Sequence, residues 1–151
     1  MLGDAYMCEF ASLDRCAAYV AARAALIAVQ RAAADWPMSL ADRARHGATD
    51  TLELTARAIS HDPASAGRRH CLREAITTAL GVTATVDAAR AMGFCGDGLI
   101  DVQRVTGRTV ALLSMLLHAS TAPIPGPPDR AGGHAQQPHM PDTSHGHVHF
   151  R

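Results

Sequence analysis

The chain contains no lysine and no asparagine, and only three of its residues are glutamate. All fourteen basic side chains are therefore arginine, and they balance fourteen acidic ones to a net charge of zero. No global field draws such a chain to nucleic acid or to anionic lipid. Aromatic residues are scarce, at 4%. A core without them, built from Ala, Leu, Val and Ile, suits closely packed helices better than a β-sandwich. The four cysteines, Cys8, Cys16, Cys71 and Cys95, form no C-x-x-C pair, which excludes the usual zinc spacings and a dense disulfide frame. They read as reduced, core-filling thiols. No apolar run approaches the roughly 18 residues of a membrane span. The first ten residues, MLGDAYMCEF, have neither a basic nor an apolar leader region, so no secretory signal is expected and a cytoplasmic location is predicted.

What is abundant is alanine, about a fifth of the chain, set in periodic apolar segments. A first helix is predicted over 6–34, with Phe10, Leu13, Ala17, Val20, Ala24 and Ile27 recurring at alternating steps of three and four, a heptad seam. Pro37 disfavours helix at Trp36 and ends it. A second helix opens at Ser39, with Asp42 as the other half of a capping box, and carries Leu40, Ala44, Gly47, Thr51, Leu54 and Ala58 on one face. Asp62 then caps a third, with Pro63 at its first position. Its face is Leu72, Ile76, Ala79, Thr83 and Val86, and Gly93-Phe94 reads as a glycine C-cap. The fourth starts at Asp97 and runs to about Ala119 with two adjacent seams. One is Val102, Val105, Thr109, Leu112 and Leu116; the other is Leu99, Thr106, Val110, Leu113 and Leu117. A helix apolar on two seams is either the most enclosed of the monomer or meets another subunit. Leu99, Val110, Leu113 and Leu117 are the candidate interface, which the seam of the first helix is able to join. Gly81 and Gly107 sit inside helices, where close helix–helix approach or neutral drift accounts for them equally well.

The resulting fold class is all-α: an antiparallel up-down-up-down four-helix bundle over 1–120. Residues 121–151 are rich in Pro, Gly and His without helical period, and are expected to form a disordered tail.

The stretches DWPMSLADRARHGATDTLELTARA, CLREAITTALGVTATVDAARAMGF and LIDVQRVTGRTVALLSMLLHA, spanning most of residues 8–119 in their order, carry a resemblance. Their turn-opening Trp-Pro, the Gly93-Phe94 step and the closing Met115-Leu116-Leu117 are similar to a small four-helix-bundle family. That family includes proteins encoded in intervening sequences of bacterial large-subunit ribosomal RNA genes and the accessory variability protein of diversity-generating retroelements. TDTLELTARAI stands where relatives carry a Ser-Ile-Pro-x-Asn-Ile-x-Glu-Gly stretch. The resemblance implies a four-helix fold, ring-like homopentamers, no catalytic constellation, and a reverse transcriptase and nucleic acid as partners.

Three chemistries were weighed on the residues themselves. His145, His147 and His149 alternate, so an extended tail projects them to one side as ligands for Zn, Ni or Cu, with His134 or His139 completing the set. Arg68, Arg69 and Arg73, with His70, make a basic patch able to meet phosphate. Glu9, Glu53 and Glu74 have no histidine three residues on, which excludes the di-iron pattern. No nucleophile elbow, phosphate loop or dinucleotide fingerprint is present. The sequence therefore predicts no enzyme and no cofactor in the bundle. It predicts a self-associating binding or scaffold module, with tail-borne metal binding and a nucleic-acid accessory role as alternatives.

Overall fold

A computed structural model describes residues 13–121. The described residues are all-helical, with four helices and no strand. They are α1 (Ala17–Ala32), α2 (Met38–Ser60), α3 (Ala66–Ala91) and α4 (Asp97–Thr121), with one 3-10 turn, Ala33–Asp35, after α1. α1 packs on α2 and α4, and α3 packs on the same two helices, most extensively on α2. These contacts are those of a helix bundle. No described helix is long and apolar enough to cross a membrane.

The ends of the helices show which local signals prevail. Trp36 is extended, at φ −82° and ψ 157°, as a residue before proline must be, and its buried ring joins the core. The capping box expected at Ser39 does not form. Pro37 is the N-cap and Ser39 lies inside the first turn, because the fixed proline φ already sets up the cap two residues earlier. Asp62 and Pro63 belong to the preceding turn rather than to α3. Ser65 caps α3 instead, its Oγ accepting the Arg68 N–H at 3.1 Å. The C-terminal signal of α3 is as expected. Gly93 takes φ +91°, its N–H donates to the Arg90 carbonyl, and Phe94 N–H donates to that of Ala89. That is the Schellman pairing, and Phe94 completes it by packing on the core.

α1 departs most from expectation. It begins only at Ala17, after a turn at Asp14–Arg15 and an extended Cys16. Aspartate competes poorly for helix interiors, and the Asp14 carboxylate is held by Arg23 at 3.0 Å. The buried face is not the predicted seam either. It is Ala18, Ala21, Ala22, Ala25, Ala28 and Val29, whereas Ala17, Val20, Ala24 and Ile27 face outward. With alanine at most positions, two faces of this helix are apolar, and the one richer in alanine turns inward.

The core divides into two clusters. One gathers Ala28, Val29 and Trp36 with Ala41, Ala44, Val82, Val86, Ala89, Leu99 and Val102. The other gathers Ala18, Ala58, Cys71, Leu72, Ala75 and Leu113. Along α2 and α4, threonines interrupt the apolar run. Thr51, Thr55, Thr106 and Thr109 are buried, as is Thr85 on α3. Four of the five donate to the carbonyl four residues back, which satisfies the hydroxyl within its own helix. The Thr106 hydroxyl is 2% exposed as a residue and has no partner. On the surface, Gln103 ties α4 to α3 by accepting from Arg90 and donating to Asp87.

Small residues set the closest approaches, but not at the glycines singled out from sequence. Gly81 and Gly107 have open space where a Cβ would stand. The tight positions are Gly47, whose added Cβ would lie 2.9 Å from Val82 Cγ2, and Gly98, 3.3 Å from Ala32 Cβ.

Candidate functional site

The three groups of residues singled out in the sequence have different fates. His145, His147 and His149, with His134 and His139, lie outside the described residues, as does the whole of 122–151. Among the described residues, no three metal-ligating side chains come together.

Arg68, Arg69 and Arg73 stand in the first turns of α3. Arg73 is exposed and the other two are half-buried. Arg69 Nη1 donates to the Ala64 carbonyl at 2.6 Å, so this guanidinium braces the α2–α3 turn. Arg68 Nε is buried without a partner. The His61 ring lies over Gly67, 3.1 Å from where a Cβ would stand. The cluster is a basic corner, one of whose three arginines is engaged in holding the turn.

The four residues proposed as a subunit interface are already used within the monomer. Leu99 and Leu113 are buried, at 5% and 0% exposure. Val110 and Leu117 are half-buried, and Leu117 packs on the smaller core cluster. Both seams of α4 contribute to its buried strip, Leu99, Val102, Thr106, Thr109 and Leu113, while Val105, Val110, Leu112, Leu116 and Leu117 are half-buried. The thiols divide as well: among the described residues Cys71 is buried, Cys16 half-buried and Cys95 exposed, so of these three only Cys71 is the core filler expected, and Cys8 lies outside the described residues.

A surface beyond the four candidate interface residues is the outer face of α1. Val20 is 38% exposed and Ile27 is 47% exposed, on the same side as Ala17 and Ala24. Beside them runs α4, whose Val105 lies in the floor of a shallow groove between the two helices. Asp14 and Arg15 border one end of this groove; Arg31, Asp101 and Arg104 border the other, and Arg108 stands along its side. Arg104 and Asp101 form an ion pair within α4. The sequence carries this face as the heptad seam of the first helix, and periodicity alone does not say whether it turns inward. The remaining large exposed apolar residues, Met38, Leu80, Met92, Ile100 and Met115, are spread over three helices and the turn after α3, and make no comparable stripe.

With this geometry in view, the chain was compared with known proteins. No family model, no curated protein and no solved structure matches it.

Proposed function

We propose that this chain is a non-enzymatic, self-associating helical scaffold, a bundle of four helices alternating up and down that recognises partners through its outer faces. The alternation is supported by the membership of the larger core cluster. It joins the end of α1 (Ala28, Val29) to the start of α2 (Ala41, Ala44), the end of α3 (Val86, Ala89) and the start of α4 (Leu99, Val102). Neighbouring helices that reverse direction bring those ends to one level.

The observation that carries self-association is the inversion of α1. Its fully buried face is alanine with one valine, and Leu26 packs beside it, while the β-branched Val20 and Ile27 remain 38% and 47% exposed. A monomer gains more by burying the larger groups. A helix that does the opposite has a second apolar surface to cover. Multi-angle light scattering of the full chain at micromolar concentration tests this: a mass above one chain is expected, and a clean monomer ends the reading.

A second reading rests on a separate feature, the alternate spacing of His145, His147 and His149. In an assembly, several such tails would share a Zn, Ni or Cu ion, and local concentration would raise the affinity of a weak individual site.

A further inference from the structure

The outer face of α1 has a register that selects its occupant. Ala17, Val20, Ala24 and Ile27 follow steps of three, four and three, and the next step of four reaches Arg31. Larger and smaller residues therefore alternate along one seam: alanine, valine, alanine, isoleucine. We propose that this seam pairs two copies of the chain, with their α1 helices antiparallel about a twofold axis lying between Val20 and Ala24. The proposal rests on the self-association reading and goes beyond it by naming the face, the orientation and the number of copies.

Size decides the orientation. With the helices antiparallel, Val20 of each copy meets Ala24 of the other, and Ile27 meets Ala17. Every contact layer then holds one large and one small side chain, which lets the helices approach evenly along their length. With the helices parallel and in register, Val20 stacks on Val20 and Ala17 on Ala17, so wide and narrow layers alternate and voids open at the alanines. Charge decides in the same direction. Antiparallel pairing sets Arg31 at one end of the groove beside the Asp14–Arg23 ion pair of the second copy rather than against another Arg31, and does so twice by symmetry. Parallel pairing sets Arg31 against Arg31 and Asp14 against Asp14. Arg15 and Arg108 border the groove, where water and salt screen them. Val105 supplies the floor from α4, so the seam is bounded on one side by a second helix rather than standing alone.

Such a contact is isologous: each copy offers the same patch, and the patch is used up when two copies meet. The assembly closes at a pair. A ring of five needs a heterologous contact between two different patches, which the α1 seam does not provide.

The test compares the full chain with Val20→Glu and Ile27→Glu, using Leu80→Glu on the outer face of α3 as the control. Leu80 is 53% exposed, so all three substitutions are at accessible positions. Circular dichroism verifies the helix content of each, and light scattering reads its mass. The wild type and Leu80→Glu are expected at two chains. Each seam variant replaces an apolar contact by a carboxylate in both copies, which must be desolvated for the pair to form, and is expected to weaken association by at least about 100-fold, leaving monomer at micromolar concentration. An oligomer unaffected by either seam variant, or one of five chains, overturns the α1 seam while leaving self-association standing. A monomeric wild type overturns both. Peptide-mapped maleimide labelling of Val20→Cys then identifies what replaces the second copy. A shielded thiol in a monomer means another segment of the same chain covers the face, and a reactive one means the face serves a different partner; both outcomes reject the pairing.

Discussion

Two glycines on the bundle test whether close packing or backbone freedom explains them. At Gly107, in the middle of α4, an added Cβ meets nothing within 4 Å. Gly107→Ala therefore adds no contact and removes backbone freedom from the unfolded chain, a gain of about 1 kcal/mol for a helix interior. At Gly47 the same substitution gains the same helical term, but its Cβ would stand 2.9 Å from Val82 Cγ2. That methyl cannot swing aside. Val82 is 2% exposed, and a β-branched side chain in a helix has essentially one rotamer. Forcing the contact costs about 1–3 kcal/mol in shifted backbone, so Gly47→Ala comes out destabilising by roughly 1 kcal/mol after the helical gain. The two variants are expected to differ by about 2 kcal/mol, or roughly 10 °C in Tm for a domain of this size. Differential scanning calorimetry at a fixed protein concentration measures the gap. If Gly47→Ala raises Tm as much as Gly107→Ala does, α2 and α3 are not in close contact at this level and the packing described for them is wrong.

Other expectations follow from single contacts. Thr106→Val removes a buried hydroxyl that has no partner and keeps its shape, so stability by urea titration should rise by about 1–2 kcal/mol; a fall would mean that the hydroxyl is satisfied in solution. Arg69→Ala loses the brace on the Ala64 carbonyl and should cost about 1 kcal/mol, whereas Arg73→Ala, exposed at the same corner, should change stability by less than about 0.5 kcal/mol. If the two variants are equally stable but each weakens oligonucleotide binding in a salt-dependent way, the corner is a phosphate site instead. Replacing His145, His147 and His149 together by alanine should abolish Zn binding measured by calorimetry on the full chain; unchanged binding removes the tail from consideration.

Helix number and most helix limits were legible because they depend on local chemistry. The Trp36–Pro37 stop and the Gly93 cap are written in two residues each, and both stand as read. The start of α3 was misplaced by three residues because Asp62-Pro63 and Ser65 both offer a capping side chain, and only the backbone path chooses between them. Helix faces were legible where large and polar residues alternate, as at Leu72, Val86, Val102 and Leu113. They were illegible in α1, where Ala17, Ala18, Ala21, Ala22, Ala24 and Ala25 offer two faces of nearly equal hydrophobicity. Periodicity reports that a face is apolar; it does not report which of two apolar faces turns inward. The candidate interface on α4 divides in the structure, with Val110 and Leu117 half-buried. The α4 seam had the larger side chains, and the bundle had already taken Leu99 and Leu113 for itself.

The choice of face in α1 is set by its neighbours. At the start of α4, Gly98 comes so near to Ala32 that an added Cβ would sit 3.3 Å from the alanine Cβ and 3.6 Å from its Cα. Only small side chains fit between two backbones at that spacing. Turning α1 by one residue, about 100°, would bring the Val20 and Ile27 side toward α2 and α4 and push the helices apart. The neighbouring Trp36, Ala41 and Val102 of the same cluster would then lose contact. Many well-fitted small contacts in the interior therefore outweigh the burial of two larger side chains, and those two are left outside together, in heptad register with two alanines. Exposure of this kind is not scattered surface hydrophobicity. It is what remains when the monomer core has imposed alanine on one face of a helix whose neighbouring face carries the larger Val20 and Ile27. The same small-residue packing that fixes the fold thus also fixes where on its surface a partner gains most.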